Sequence, residues 1–309
     1  MNVLHMKYTV EIARTGSINK ASEALLVAQP NLSRAVKELE GSLGIIIFDR
    51  SSKGMTLTAD GENFVRYAQK ILNQIDDLES MYNGCTVNKQ RFSISVPRAS
   101  YISQAFARFT RNLGSEPAEL FYKETNSYRA IKNILNEDYK LGIIRYSNTF
   151  DRYYEDMLEE KELTGVQVAE FQYRLVMSRD SSLAAKENIR FKDLLPFIEI
   201  AHGDPYVPSL PLSVVKKEEF PENISRRIFV FERASQFDLL SENPETYMWV
   251  SPLPKELLDR YGLVQRVCYE NKKHYKDILI RRKDYRLTAL DQCFITEVCA
   301  SREECFSEI

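Results

Sequence analysis

The chain has 309 residues, 44% hydrophobic and 28% charged, with a formal net charge of −2. That length implies more than one domain, because single cores stop growing in this range, and the balanced charge gives no whole-chain signal for a nucleic-acid partner. No apolar run approaches the roughly 18 residues of a membrane span, and the amphipathic start has no signal-peptide core, so no membrane partner and a cytoplasmic location are expected. Met1 to Thr15 carries Leu4, Tyr8 and Ile12 at helical spacing, with Val10 and Ala13 offset and Gly16 in the usual C-terminal position. Ser17 can cap a second helix through Ala21, Ala24 and Leu25. Leu26-Val27-Ala28 is then a tight connection into a third helix beginning at Gln29.

On that third helix Leu32, Ala35, Val36 and Leu39 share one face, and Pro30, Ser33, Arg34 and Lys37 fall opposite. An ordinary surface helix has the same pattern. The preceding helix and turn make it a helix-turn-helix. Its polar face suits a DNA major groove, where cations reach phosphates or guanine and Ser33 permits close approach. Leu43 to Phe48, the polar turn Asp49 to Gly54 and Met55 to Thr58 read as a strand, a turn and a second strand, a wing carrying Arg50 and Lys53 toward the DNA backbone. Residues 1–58 hold seven Lys/Arg against five Asp/Glu, so the case rests on where the cations sit.

Residues 1–82 resemble a LysR-type transcriptional regulator. The matching residues are Gly16-Ser17, Lys20-Ala21, Ala24-Leu25, Gln29-Pro30, Leu32-Ser33-Arg34, Leu39-Glu40, Leu43-Gly44, Phe48, Arg50, Leu57-Thr58 and Gly61. The resemblance implies that Gln29, Pro30, Ser33, Arg34 and Lys37 meet double-stranded DNA, with Arg50 and Lys53 on the wing. Ala28 departs from the family's usual hydroxyl, which removes the third helix's N-cap at a cost of about 0.5–2 kcal/mol. Ser22 stands where a second alanine is common.

Phe64, Ala68, Ile71, Ile75, Leu78 and Tyr82 then recur at steps of 4, 3, 4, 3 and 4, an a/d seam. Thr58 can cap this helix, and Asp60 and Glu62 suit its positive end. A helix with no other core to hide in is expected to pair with its twin, and the family implies the same. Asn83-Gly84 breaks it and residues 83–90 read as a hinge.

Beyond the hinge, strands are expected at Phe92 to Val96, Ala118 to Tyr122, Leu141 to Ile144, Phe197 to Ile200, Arg227 to Phe231, Tyr247 to Val250, Leu263 to Tyr269 and Tyr275 to Arg281. Val166 to Phe171 and Arg174 to Ser178 look like a strand pair. Helices are expected at Ser100 to Leu113, Tyr128 to Asn136, Phe191 to Leu195, Ser235 to Glu242 and Thr288 to about Ser301. This alternation argues for parallel α/β sheets. The half is similar to the family's effector domain, two subdomains resembling periplasmic binding proteins. Leu141-Gly142-Ile143-Ile144 and Asp193-Leu194 carry that likeness, and the segment 241–246 departs from the family's glycine-rich turn.

The expected fold is therefore an all-α winged helix-turn-helix head (1–58) with a long linker helix (59–82) and an α/β effector domain (91–309). Its subdomains would be about 91–163 with 268–309, and about 164–267. Ligands in such sheets collect at the carboxyl ends of strands and at helix N-termini. Family contacts fall on matching stretches, which makes Ser100, Asn126, Ser127, Arg145 and His202 the effector candidates. Hydroxyls, amides and Arg145 suit a small anionic effector, although the serines could merely cap helices and Arg145 could pair with a local acid. Tyr101, Tyr146 and Tyr206 could fill the cleft or stack on an aromatic ligand. The five cysteines include no CxxC pair, and Cys293 and Cys299 lie six apart, about 240° round a helix. Structural thiols are expected, and a thiol-based redox sensor of the same architecture is the alternative. With three scattered histidines and no GxGxxG, P-loop or GxSxG, neither enzyme chemistry nor a metal or other cofactor is expected. The whole reads as a homodimer or homotetramer that binds operator DNA and a small molecule.

Overall fold

The computed structural model describes residues 2–51, 54–82, 89–204 and 224–307. It divides into two units, Met1–Asn88 and Lys89–Ile309. In the first, α1 (Val3–Thr15) is capped by Asn2, whose side chain accepts from the Leu4 amide, and ends on Gly16 at φ 65°. Ser17 caps α2 (Ile18–Leu25). The turn to α3 (Gln29–Leu43) places Leu26 in the left-handed region at φ 53°, a conformation that costs a branched side chain. Ser22 secures that turn by donating to the Val27 carbonyl at 2.5 Å, so the departure from alanine has a local use. As the sequence implied, no side chain caps α3 at Ala28. Leu32, Val36 and Leu39 are buried with Ile12, Ala21, Ile47 and Phe48. The Glu40 carboxylate accepts from the Ile47 and Phe48 amides and fixes the wing, β1 (Phe48–Ser51) paired antiparallel with β2 (Gly54–Leu57).

Thr58 accepts from the Gly61 amide and donates to Ile46, starting α4 (Ala59–Tyr82). A Cβ at Gly61 would lie 2.0 Å from the Ile47 oxygen, so glycine is required there. The a/d seam is divided. Ala68 and Phe64 pack with Leu72 against Met6 and Val10 of α1, so the first half has a core within the head. Only its second half stays open, with Ile71 and Leu78 exposed. The Tyr82 side chain and hinge residues 83–88, Cys85 among them, lie outside the described residues.

The second unit begins with β3 (Gln90–Val96), α5 (Ser100–Phe109), β4 (Ala118–Glu124), α6 (Ser127–Asn136), β5 (Leu141–Ser147), α7 (Asp151–Glu160) and β6 (Leu163–Gln172). Next come β7 (Arg174–Ser178), α8 (Phe191–Leu194), β8 (Ile198–His202), β9 (Arg227–Val230), α9 (Arg233–Glu242), β10 (Thr246–Val250), α10 (Lys255–Arg260) and β11 (Leu263–Arg266). The chain then returns through β12 (His274–Arg282) and α11 (Ala289–Phe306). One sheet has the order β4-β3-β5-β12-β6, the other β11-β7-β10-β8-β9.

Three expectations change. The sheets are mixed rather than parallel, since β12 runs antiparallel to β5 and β6, and β7 antiparallel to β10 and β11. The strands at 163–172 and 174–178 are not partners: the first is an edge strand of one sheet and the second an inner strand of the other. The subdomain break thus falls at Tyr173, not near 163, with the return crossover at 267–273. Finally, α7 and α10 were not foreseen. The first buries only Tyr154 and Leu158 from an otherwise polar segment, too narrow a stripe to read as helix.

Candidate functional site

The outward face of α3 is laid out as its spacing implied. Gln29, Pro30, Arg34 and Lys37 are exposed and Ser33 partly so, while Leu32, Val36 and Leu39 on the other side are at most 1% exposed. Among the described residues neither Arg34 nor Lys37 is held in an ion pair. Two cations on one short surface are left uncompensated, available to a polyanion. On the wing, Arg50 lies in β1, but its side chain, and Lys53 altogether, fall outside the described residues.

In the second unit, a cavity of about 490 Å3 lies where the two sheets meet. Both crossovers line it, through Tyr173 on one side and Asn271 and Lys273 on the other. Eight aromatic residues contribute: Tyr146, Phe150, Tyr154, Tyr173, Phe191, Tyr247, Trp249 and Tyr275. Four of the five residues expected at an effector site, Asn126, Ser127, Arg145 and His202, also line it. Ser100 does not. It is buried at the start of α5 and faces an adjoining recess of about 40 Å3, shared with Gln236.

Three of these residues have structural duties. Ser127 donates to the Arg145 carbonyl at 2.7 Å and accepts from its amide at 2.9 Å, tying α6 to β5. Asn126 caps α6 through the Arg129 amide and reaches across to the Asp204 carbonyl. Arg145 is not the free cation expected for an anion. It lies within β5, directly opposite Asp277 of β12. Its Nε and Nη2 donate to the two Asp277 oxygens at 2.7 and 2.6 Å. Asp277 is fully buried and also accepts from the Tyr101 hydroxyl at 2.6 Å. Burial works against the Arg145 charge, but the Asp277 carboxylate more than offsets it; Phe171 lies 4.8 Å beneath the guanidinium. Burial, then Asp277, pushes the Tyr101 hydroxyl up, so it stays a donor.

Other charges at the cavity are matched in the same way. Arg98 donates to both oxygens of Asp204 at 2.8 and 3.3 Å, joining the end of β3 to the end of β8. Glu199 is 4% exposed and is paired with Arg227 at 2.6 Å; burial pushes its carboxyl up, opposed by that arginine. A second link between the subdomains runs from Arg233 of α9 to Glu124 at 2.7 Å and to Ser103 at 2.9 Å. Burial, aided by Arg98, lowers the His202 pKa to about 4, so the ring is neutral near pH 7. Among the described residues, His202 Nδ1 and the Tyr247 hydroxyl are buried polar atoms with no partner.

Sequence reasoning missed Asp277, Glu199 and Tyr247, and named Tyr101 only as a ring that could fill the cleft or stack on a ligand. A charged residue inside an apolar strand, as in Phe197-Ile198-Glu199-Ile200 and Asp277-Ile278-Leu279-Ile280, was the available signal. Cys268, Cys293, Cys299 and Cys305 are free, and burial raises Cys305 to about 12 and Cys268 above its ordinary value.

Residues 3–62 match the model of the bacterial regulatory helix-turn-helix proteins of the lysR family. The chain is 45% identical over 78 residues to the uncharacterized HTH-type transcriptional regulator YcgK of Bacillus subtilis, a match covering 25% of this chain and 24% of that protein. The curated relatives at the head thus share only about a quarter of their length with it. Full-length OxyR from Pseudomonas aeruginosa superposes with a TM-score of 0.60 at 16% identity, over 97% of this chain and 98% of that one. Full-length CbnR in complex with its target DNA gives 0.60 at 16% identity, over 97% and 100%. At such identity these likenesses are of fold. No helix among the described residues is long and apolar enough to cross a membrane. Residues 3–62 thus form a lysR-family helix-turn-helix head, and the chain as a whole shares the fold of full-length LysR-family structures.

Proposed function

We propose that the protein is a sequence-specific DNA-binding regulator of transcription that responds to a small molecule bound in the cavity of its second unit. The observation that carries the reading is the uncompensated, exposed pair Arg34 and Lys37 on the outer face of α3, within the residues that match the family's DNA-binding domain. Gln29, Pro30 and Ser33 complete that face, with Arg50 and Lys53 assigned to the wing. A two-fold oligomer supplies two such helices for two half-sites, and the exposed second half of α4, with Ile71 and Leu78, offers it an apolar seam.

The cavity supports a ligand-responsive role. Its volume is that of a small-molecule site. Its walls come from both subdomains, so occupancy bears on how they are held together, and through a two-state element on the heads. A small-molecule sensor is favoured over a thiol sensor because burial keeps Cys268 and Cys305 protonated and unreactive.

In vitro selection from a random duplex library tests the DNA reading. The intact protein should enrich a motif with two related half-sites, and Arg34→Ala should enrich none while keeping its oligomeric state. Equal enrichment by Arg34→Ala would refute the assigned contact.

A further inference from the structure

Resting on the effector reading above, we propose that the cavity takes an uncharged aromatic molecule, oriented by His202 and Tyr247, and discriminates against a carboxylate of the same shape. The sequence alone suggested an anion because Arg145 stands at the strand end. In the structure its guanidinium is held at both Asp277 oxygens, and Arg98 is likewise held by Asp204. The remaining cation of the lining, Lys273, is exposed to solvent. Glu199 and Asp204 add acidic groups to the wall. An anion entering would shed its hydration and meet charges that already cancel one another, which is unfavourable. An aromatic ring meets eight aromatic side chains and gains both from burial and from offset or edge contacts.

Of the four buried polar atoms without partners among the described residues, two belong to residues that line this cavity, and orientation comes from them. Tyr247 is fully buried and its hydroxyl is unmatched. His202 Nδ1 is likewise buried without a partner, on a ring that is neutral near pH 7. Buried polar groups are ordinarily satisfied, so a pair unsatisfied in one cavity marks where a ligand completes them. The ligand therefore carries a hydrogen-bonding group for each of them.

Calorimetric titration of the full chain at pH 7.5 tests this with two matched pairs: 4-hydroxybenzamide against 4-hydroxybenzoate, and 6-hydroxy-2-naphthamide against 6-hydroxy-2-naphthoate. An amide should bind at least tenfold more tightly than its carboxylate partner. Tyr247→Phe, which removes only an unpartnered hydroxyl, should weaken amide binding at least fivefold with an unchanged near-ultraviolet spectrum. His202→Leu should do the same. Carboxylates binding as well as the amides, no binding by any of the four at millimolar concentration, or full binding by Tyr247→Phe would each overturn the proposal. The DNA selection is independent of these ligands, so this failure would leave the regulator reading intact, and failure of the selection would strike that reading alone.

Discussion

The outer face of α3 and the wall of the cavity use the same residue types to opposite ends. On α3 the cations come from one helix, three residues apart, and stand in water without acids. Around the cavity every buried cation described has its carboxylate, drawn from a strand or loop 28 to 132 residues away. Water already solvates a surface charge, so leaving it unpaired costs little and keeps it ready for phosphates. Inside, an unpaired charge costs several kcal/mol, so charge there is matched and the binding surface is left to aromatic rings.

The largest expected effect comes from breaking the buried match. Asp277→Ala would leave Arg145 without its carboxylate and the Tyr101 hydroxyl without its acceptor, lowering stability in urea unfolding by about 3–5 kcal/mol. Arg34→Ala, on the exposed face, should move the same measurement by less than about 0.5 kcal/mol. Similar losses in the two variants would erase the distinction.

Acid sharpens the comparison next. The His202 pKa falls from 6.5 unfolded to about 4 folded, so the unfolded chain takes the proton first as pH drops. The stability this confers is complete above about pH 6.5 and lost as pH falls to about 4, on the order of 3 kcal/mol. Stability measured across that window should slope downward toward acid, and His202→Gln should flatten the slope. An unchanged slope in the variant would show that His202 is not the titrating group.

The smallest effect lies in the head. Ala28→Ser restores the missing cap on α3 and should raise stability by about 0.5–1 kcal/mol in thermal unfolding of the head transition. No gain would mean that the left-handed turn at Leu26 prevents the serine from reaching its amide.

The head was legible almost residue by residue, because caps at Ser17, Gly16 and Thr58 and the stripe of α3 are local signals acting within one or two turns. The linker seam was half legible. Its period was plain, but α1 accepts Ala68 and Leu72, and no local pattern announces a partner about sixty residues earlier. In the second unit, strand positions were readable while partnership was not, because strand pairing is fixed by register between distant segments. Val166 to Phe171 and Arg174 to Ser178 look like neighbours in a hairpin, yet each finds its ladder elsewhere. Arg145 was found as a cleft residue, but its commitment to Asp277 was not.

By itself the sequence determined the amino-terminal helix-turn-helix, its polar face and the α/β character of the remainder, since helix periodicity, caps and strand propensity are properties of short segments. Tertiary structure alone decided which strands share a sheet, which half of α4 stays uncovered and which charges cancel around the cavity. Those outcomes depend on contacts between residues tens to more than a hundred positions apart, and a buried charge takes its meaning from the partner that folding places beside it.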